Sequence, residues 1–353
     1  MQLCFILHVD CFSTLPSDAT AARSRKPRTR REETMPSTSR FRRRPLLRRL
    51  RPILFGLTLC LILMAGNARA GMPVFVSILP QKFFVQKIAG DLADVSVLVM
   101  PGASPHTYEP SPRQMAELTG ARAYFSIGVT FEDVWLSRIR TANPDMPVIP
   151  TDAGIVKIPM PAHGHAEHGM EKPDGHEPEE HEEETHHDQG ILDPHVWLSP
   201  DGARLVAENI CKGLSALDPA HADTYRTNTD ALLGEIDRVD AEARHALASL
   251  PEGHRSFMVF HPSWGYFARH YGLTQIPIES EGREPSPRGL AEVIEQARAL
   301  GITVIFVQPQ FSEKSASVIA AEIGARIAVL DPLAEDWTAT MTRAAEAIGQ
   351  AAR

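Results

Sequence analysis

Past residue 70 the chain alternates short, continuous apolar runs with longer stretches in which apolar residues recur every three or four positions. VFVSI (74–78), VSVLV (95–99), AYFSI (123–127) and the short VIP (148–150) are β-branched or aromatic and bounded by polar or turn residues, as buried strands are. A second series follows the same scheme: FMVF (257–260), TQIPI (274–278), TVIFV (303–307) and RIAVL (326–330). Helical spacing falls between these runs, over 81–89, 111–119, 287–300, 312–323 and 337–350, with a further helix starting near Pro200. Such alternation predicts parallel sheets with covering helices, and two series predict two α/β lobes.

The stretch separating the two series has a different character. Asp218 suits an N-cap, Pro219 a first helical position, and Pro251 stops the run. Tyr225, Leu232, Ile236, Val239, Ala243 and Leu247 share one face. A helix over 219–250 would run roughly 48 Å at about 1.5 Å per residue. It predicts one long backbone helix that joins the lobes and resists wide hinge closure. The expected organisation is thus a first lobe over 71–217, a linking helix over 218–250 and a second lobe over 251–353.

Charge changes the picture at the N-terminus. The formal charge of −8 conceals a basic segment: residues 1–70 hold fourteen Lys/Arg against four Asp/Glu, which leaves 22 basic and 40 acidic residues in the remainder. RFRRRPLLRRLR (40–51) reads as a basic n-region and ILFGLTLCLILMA (53–65) as an apolar core shorter than the ~20 residues of a membrane span. The Ala68-x-Ala70 pattern supplies a cleavage signal. Met35 reads as the natural start of this segment, and cleavage near Ala70 predicts a soluble exported, periplasmic protein. Cys4, Cys11 and Cys60 precede that point, so Cys211 is the one cysteine of the exported chain and a disulfide scaffold is excluded. Leu59 is too large to precede a lipid-modified Cys60. An acidic body of this size is repelled by phosphates, which excludes a nucleic-acid partner.

Candidate chemistry gathers where strands end, the position at which ligands of parallel α/β sheets bind. His106 lies in the Gly/Pro-rich loop after 95–99, His261 directly after 257–260, Asp331 directly after 326–330, and His195 in the Pro-flanked turn DPHVWLSP. Each has an ordinary structural explanation alone: a histidine beside proline packs in a turn, and Asp331 before Pro332 reads as a helix N-cap. As a set, three imidazoles and one carboxylate make a four-coordinate zinc sphere in the cleft between lobes.

The motifs SPHTYEPSPRQMAEL, DPHVWLSP, FHPSWGYFARHYGL, PQFSEKSA and LDPLAEDW occur in that order over residues 73–353. In them the chain resembles the metal-specific periplasmic solute-binding proteins of ABC transporters (cluster A-I, or cluster 9), and within these the zinc-binding group. The resemblance implies that His106, His195 and His261 are metal ligands, with Asp331, water or a neighbouring Glu as the fourth. Glu109, three residues after His106, is a candidate to support that ligand from the second shell or to bond within the turn. Members of the family carry Glu where Gln308 stands here. Manganese-binding relatives carry Glu at the position of His261, and an imidazole there favours Zn2+. The implied partners of this monomer are a membrane permease and its ATPase; zinc is cargo, not a resident cofactor.

One stretch remains. HGHAEHGMEKPDGHEPEEHEEETHH (163–187) holds seven histidines (His163, His165, His168, His176, His181, His186, His187) and nine carboxylates. Its composition predicts a disordered surface loop inserted in the first lobe. Similar His-rich loops occur in the zinc-binding members, which implies accessory weak metal sites here. Three other readings stay open: a manganese- or iron-type binding protein of the same family, a zinc hydrolase with an open coordination position, and a metal buffer or adhesin in which the tract itself is the working part.

Overall fold

The computed structural model describes residues 71–160, 192–279 and 282–351. The basic N-terminal segment, with the export signal expected there, and the 163–187 tract lie outside the described residues. Eight strands are seen: β1 Met72–Val76, β2 Ala93–Val97, β3 Ala123–Ser126, β4 Val148–Pro150, β5 Ser256–Val259, β6 Thr274–Pro277, β7 Val304–Val307 and β8 Arg326–Val329. All eight expected runs form strands, displaced by no more than two residues. They make two four-stranded sheets in orders β2-β1-β3-β4 and β6-β5-β7-β8, with every pair parallel. The second lobe repeats the topology of the first. In each sheet the strand order reverses between the first and third strands, so a crevice opens beyond their C-terminal ends.

The helices are α1 Leu79–Ala89, α2 Pro112–Leu118, α3 Thr130–Ala142, α4 Pro200–Leu217, α5 Ala222–Leu247, α6 Gly265–Tyr271, α7 Pro287–Ala299, α8 Lys314–Ile323 and α9 Trp337–Ala351. Their starts follow local chemistry. Ser111, Ser199 and Ser286 each accept a hydrogen bond from a backbone N–H three residues on, with proline in the first turn. Helices α3 and α6 were not expected from the sequence. The first buries only Phe131, Glu132 and Ile139, too sparse for a periodic signal. The second is seven residues long and aromatic-rich, a composition that favours strands.

The linking helix is shorter than expected. Pro219–His221 forms a 3-10 turn, α5 itself has 26 residues, and residues 248–250 turn away from it. At about 1.5 Å per residue it spans about 39 Å. Its buried face is the expected one, with Thr229 added: Tyr225, Thr229, Leu232, Ile236, Val239, Ala243 and Leu247. This face packs against α1, α4 and α9. Gly349 of α9 sits so close that a Cβ there would meet Ala246 O at 2.8 Å. One apolar core runs from the first sheet across α5 to the inner face of the second, and a separate layer under α7 and α8 covers the outer face. All described residues belong to a single compact unit, Cys211 is buried within it, and no described helix is long and apolar enough to cross a membrane.

Polar side chains lace the strand ends of the first lobe. Gln81 accepts from Ser77 N (2.9 Å) and donates to Phe125 O (3.0 Å) and Thr151 Oγ1 (3.1 Å), joining the ends of β1, β3 and β4. Glu132 accepts from Ser77 Oγ, Ile127 N (3.1 Å) and Gly128 N (2.7 Å). These bonds fix the loop from which α3 springs, and that loop touches the site.

Candidate metal centre

Three loops carry one histidine each to the same place. His106 follows β2, in a loop tightened by Ala103 N to Met100 O (3.1 Å) and Thr107 N to Ser104 O (3.2 Å), and bound to α3 by Phe131 N to Pro105 O (3.2 Å). His195 lies in the turn before α4. Here Asp193 Oδ1 accepts from His195 N (2.9 Å), and Tyr266 donates its hydroxyl to Asp193 O (3.0 Å). Two glycines permit the close packing of this turn: a Cβ on Gly202 would stand 1.8 Å from Val196 O, and one on Gly265 would stand 2.6 Å from Asp193 Oδ2. His261 follows β5, and its backbone is gripped on both sides by Gln308, which accepts from His261 N (3.1 Å) and donates to His261 O (2.7 Å).

One ring nitrogen from each histidine falls in a group whose members all lie within 4.8 Å of one another. His106 Nε2 and His261 Nε2 are 3.0 Å apart. Ring centroids are separated by 4.7 Å (His106–His261), 5.2 Å (His195–His261) and 5.8 Å (His106–His195). Each Nδ1 is engaged behind the group: that of His106 with Thr130 Oγ1 (3.0 Å), of His195 with Asp193 Oδ1 (2.7 Å), and of His261 with Glu279 Oε1 (2.8 Å). A carboxylate accepts, so Nδ1 of His195 and His261 carries the proton and Nε2 presents its lone pair to the common centre. Phe311 stacks on His261 (4.7 Å) and Trp197 packs on His195 (5.4 Å), fixing both rings.

Electrostatics favour the neutral imidazoles that a metal requires. The pKa of His106 is lowered to about 3, by burial first and then by His261 and His195. That of His261 is lowered as well, burial and His195 outweighing the opposing pull of Glu279. Asp193 and Glu279 are both buried, and each has its second oxygen unpartnered. Among the described residues neither pairs with Lys or Arg; histidine is the only ion-pair partner of each. Two buried carboxylates behind the three ring nitrogens are short of positive charge among the described residues, and a divalent cation at the shared centre would supply it.

The family model for the periplasmic zinc-uptake complex component A matches residues 74–351. The chain belongs to that family. Among curated relatives of this family member, the iron-binding protein YfeA of Yersinia pestis is 31% identical over 244 residues, 68% of this chain and 70% of that one. The zinc-binding protein AdcA of Streptococcus pyogenes is 31% identical over 270 residues; this covers 75% of the chain but about half, 51%, of AdcA. A crystal structure of ZnuA superposes with a TM-score of 0.71 at 42% identity, over 80% of this chain and 100% of that one. A deletion variant of ZnuA with zinc bound gives 0.70 at the same identity, over 80% and 98%. The two-lobed α/β fold expected from the sequence is the fold of these structures.

Within this family frame, the structure brings His106, His195 and His261 together and leaves Asp331 out of their group. Asp331 Oδ1 is committed elsewhere, accepting from Gln310 Nε2 (2.8 Å) and Leu333 N (2.9 Å). Nor is Asp331 the N-cap of a helix, since α9 begins only at Trp337. Glu109, the candidate for a supporting or turn role, is exposed, and the partner of His106 Nδ1 among the described residues is Thr130 Oγ1. The seven histidines of 163–187 lie outside the described residues. Sequence reasoning missed Thr130, Asp193 and Glu279 as partners of the three clustered rings and Gln308 as the clamp on His261. Asp193 had a local signal, its position two residues before His195 in DPHVW. The others are 24, 18 and 47 residues from the histidines they hold, and nothing local marks them.

Proposed function

We infer that this protein captures a zinc ion on the Nε2 atoms of His106, His195 and His261 and delivers it to an ABC-type membrane permease driven by an ATPase. Export past a cleaved signal near Ala70 would place it in the periplasm, the compartment in its family's description. One observation carries the reading: three convergent imidazoles, two of them backed by buried carboxylates that have no Lys or Arg partner among the described residues. Three imidazole nitrogens would fill three of the four positions zinc takes, at about 2.0–2.1 Å each. The iron-binding relative, and the manganese-binding members of the family, make those metals the natural competitors. An all-nitrogen group disfavours manganese, which prefers oxygen donors. The relative with zinc bound, at 42% identity, supports the same choice.

Zinc titration of the protein with and without residues 163–187 tests this reading. One tight equivalent should bind in both, with further weak equivalents only where the tract is present. A tight equivalent that vanished with the tract would make the tract the functional centre and remove the main support for transport.

A further inference from the structure

The loop after β7 does two things at once. Gln308 and Phe311 hold His261, by its backbone and by its ring. Gln310, between them in the chain, donates from Nε2 to Asp331 Oδ1 at 2.8 Å. The contact follows from the sheet: β7 and β8 are neighbours with Val307 opposite Val329, so Gln310 and Asp331 lie side by side three and two residues beyond that pair. Gln310 and Asp331 line a cavity of about 30 Å³, together with Leu79 at the start of α1 and Gly102 on the loop that leads to His106. The amide of Gln310 is not there for its own satisfaction, because its Oε1 is buried with no partner among the described residues. Its one hydrogen bond goes to the carboxylate.

We propose that Gln310 is a specificity-determining residue: by holding Asp331 it keeps an oxygen donor out of the three-histidine group and so preserves a nitrogen-only set that prefers zinc. The proposal rests on the zinc-capture reading. Asp331 lies on the loop after β8, beside the loop after β7 that clamps His261, and among the described residues the bonds from Gln310 and Leu333 N fix its carboxylate. With Gln310 removed, one of those two bonds is lost and the carboxylate turns toward the cation. An added carboxylate oxygen raises affinity for manganese more than for zinc, since manganese is the ion that favours oxygen.

The test is chelator competition, which reads only the tightest site, on the full chain carrying Gln310→Leu, Gln310→Ala, Asp331→Asn or Gln310→Leu with Asp331→Asn. Zinc and manganese are titrated in each, and cobalt(II) spectra report the donor set. Gln310→Leu and Gln310→Ala should each lower the zinc-over-manganese preference about tenfold, about 1.4 kcal/mol, and change the cobalt bands. The double variant should return both to the values of the parent. Gln310 is half-buried on a surface loop, and the alanine variant serves where leucine disturbs folding. An unchanged preference in both single variants, or a change that survives Asp331→Asn, overturns the proposal. His195→Ala in the same assay separates the two ideas: if it abolishes tight zinc while Gln310→Leu changes nothing, only the role of Gln310 fails. Tight zinc retained in His195→Ala overturns the capture reading itself.

Discussion

The two lobes share one strand order yet hold their histidines differently. In the second lobe His261 is buried, its Nδ1 bonded to a buried carboxylate, its backbone clamped by Gln308 and its ring stacked on Phe311. In the first lobe His106 is half-buried, on a Gly/Pro-rich loop, and its Nδ1 meets a neutral hydroxyl. His195, between them in the chain, is held like His261, by Asp193 and Trp197. Two of the three rings are therefore backed by a carboxylate and an aromatic side chain, while the Nδ1 of the third is backed by a neutral hydroxyl. A cargo site must bind tightly and also let go. The asymmetry places the weaker hold at His106, which becomes the ligand most easily withdrawn.

Removing a ligand should have the largest effect. His261→Ala and His195→Ala should each weaken the tight zinc site by several orders of magnitude, since a lost imidazole costs several kcal/mol. His106→Ala should weaken it severely but less, as measured by chelator competition. Equal losses at all three would erase the asymmetry.

Behind the ligands the contrast sharpens. Glu279→Gln and Asp193→Asn should each lower zinc affinity about 10–100-fold, the usual effect of losing a carboxylate behind a ligating histidine. Thr130→Val removes one neutral hydrogen bond worth about 1 kcal/mol and should cost less than about tenfold. A Thr130→Val effect as large as that of Glu279→Gln would contradict the ranking.

The first lobe also carries opposed pH sensitivities, readable by denaturant unfolding in the presence of a chelator. Glu132, buried, has its pKa raised from 4.5 to about 7, burial outweighing its hydrogen bonds from Ser77, Ile127 and Gly128. Its folded pKa lies above the unfolded one, so its contribution is full below pH 4.5 and lost as pH rises through 7. The loss approaches about 3 kcal/mol. Glu132→Gln should flatten that alkaline limb. His106 acts in the other direction: its folded pKa of about 3 lies below the unfolded 6.5, so stability falls as pH drops from 6.5 toward 3. His106→Ala should shrink that acid limb and leave the alkaline one in place.

The smallest effect on the tight site is expected from deleting 163–187. Seven histidines in a chain segment this polar must each order backbone at about 1–2 kcal/mol per residue to share a metal, which keeps their sites weak. Total zinc per protein should fall on deletion while the tightest affinity stays within about threefold.

Much of this was legible in the sequence, for physical reasons. Buried parallel strands are continuous apolar runs, and strand ends carrying His beside Pro or Gly mark where such sheets bind ligands, which is how His106, His195 and His261 stood out. Helix α3 was not legible because most of its surface is exposed, and α6 because it is short and aromatic. The supporting shell was hidden because Thr130, Glu279 and Gln308 reach their histidines only through the fold. Asp331 is the converse case. Its place after a strand matched that of the ligands, but its carboxylate serves Gln310 and the local turn at Leu333, a choice set by a neighbouring loop.

The most direct measurement is a crystal structure of the zinc-loaded protein with anomalous data collected on both sides of the zinc edge. One strong peak should lie about 2.0–2.1 Å from Nε2 of His106, His195 and His261, with Asp331 still bonded to Gln310. A strongest peak held by histidines of 163–187, or one with no bond to His195 and His261, would contradict the account.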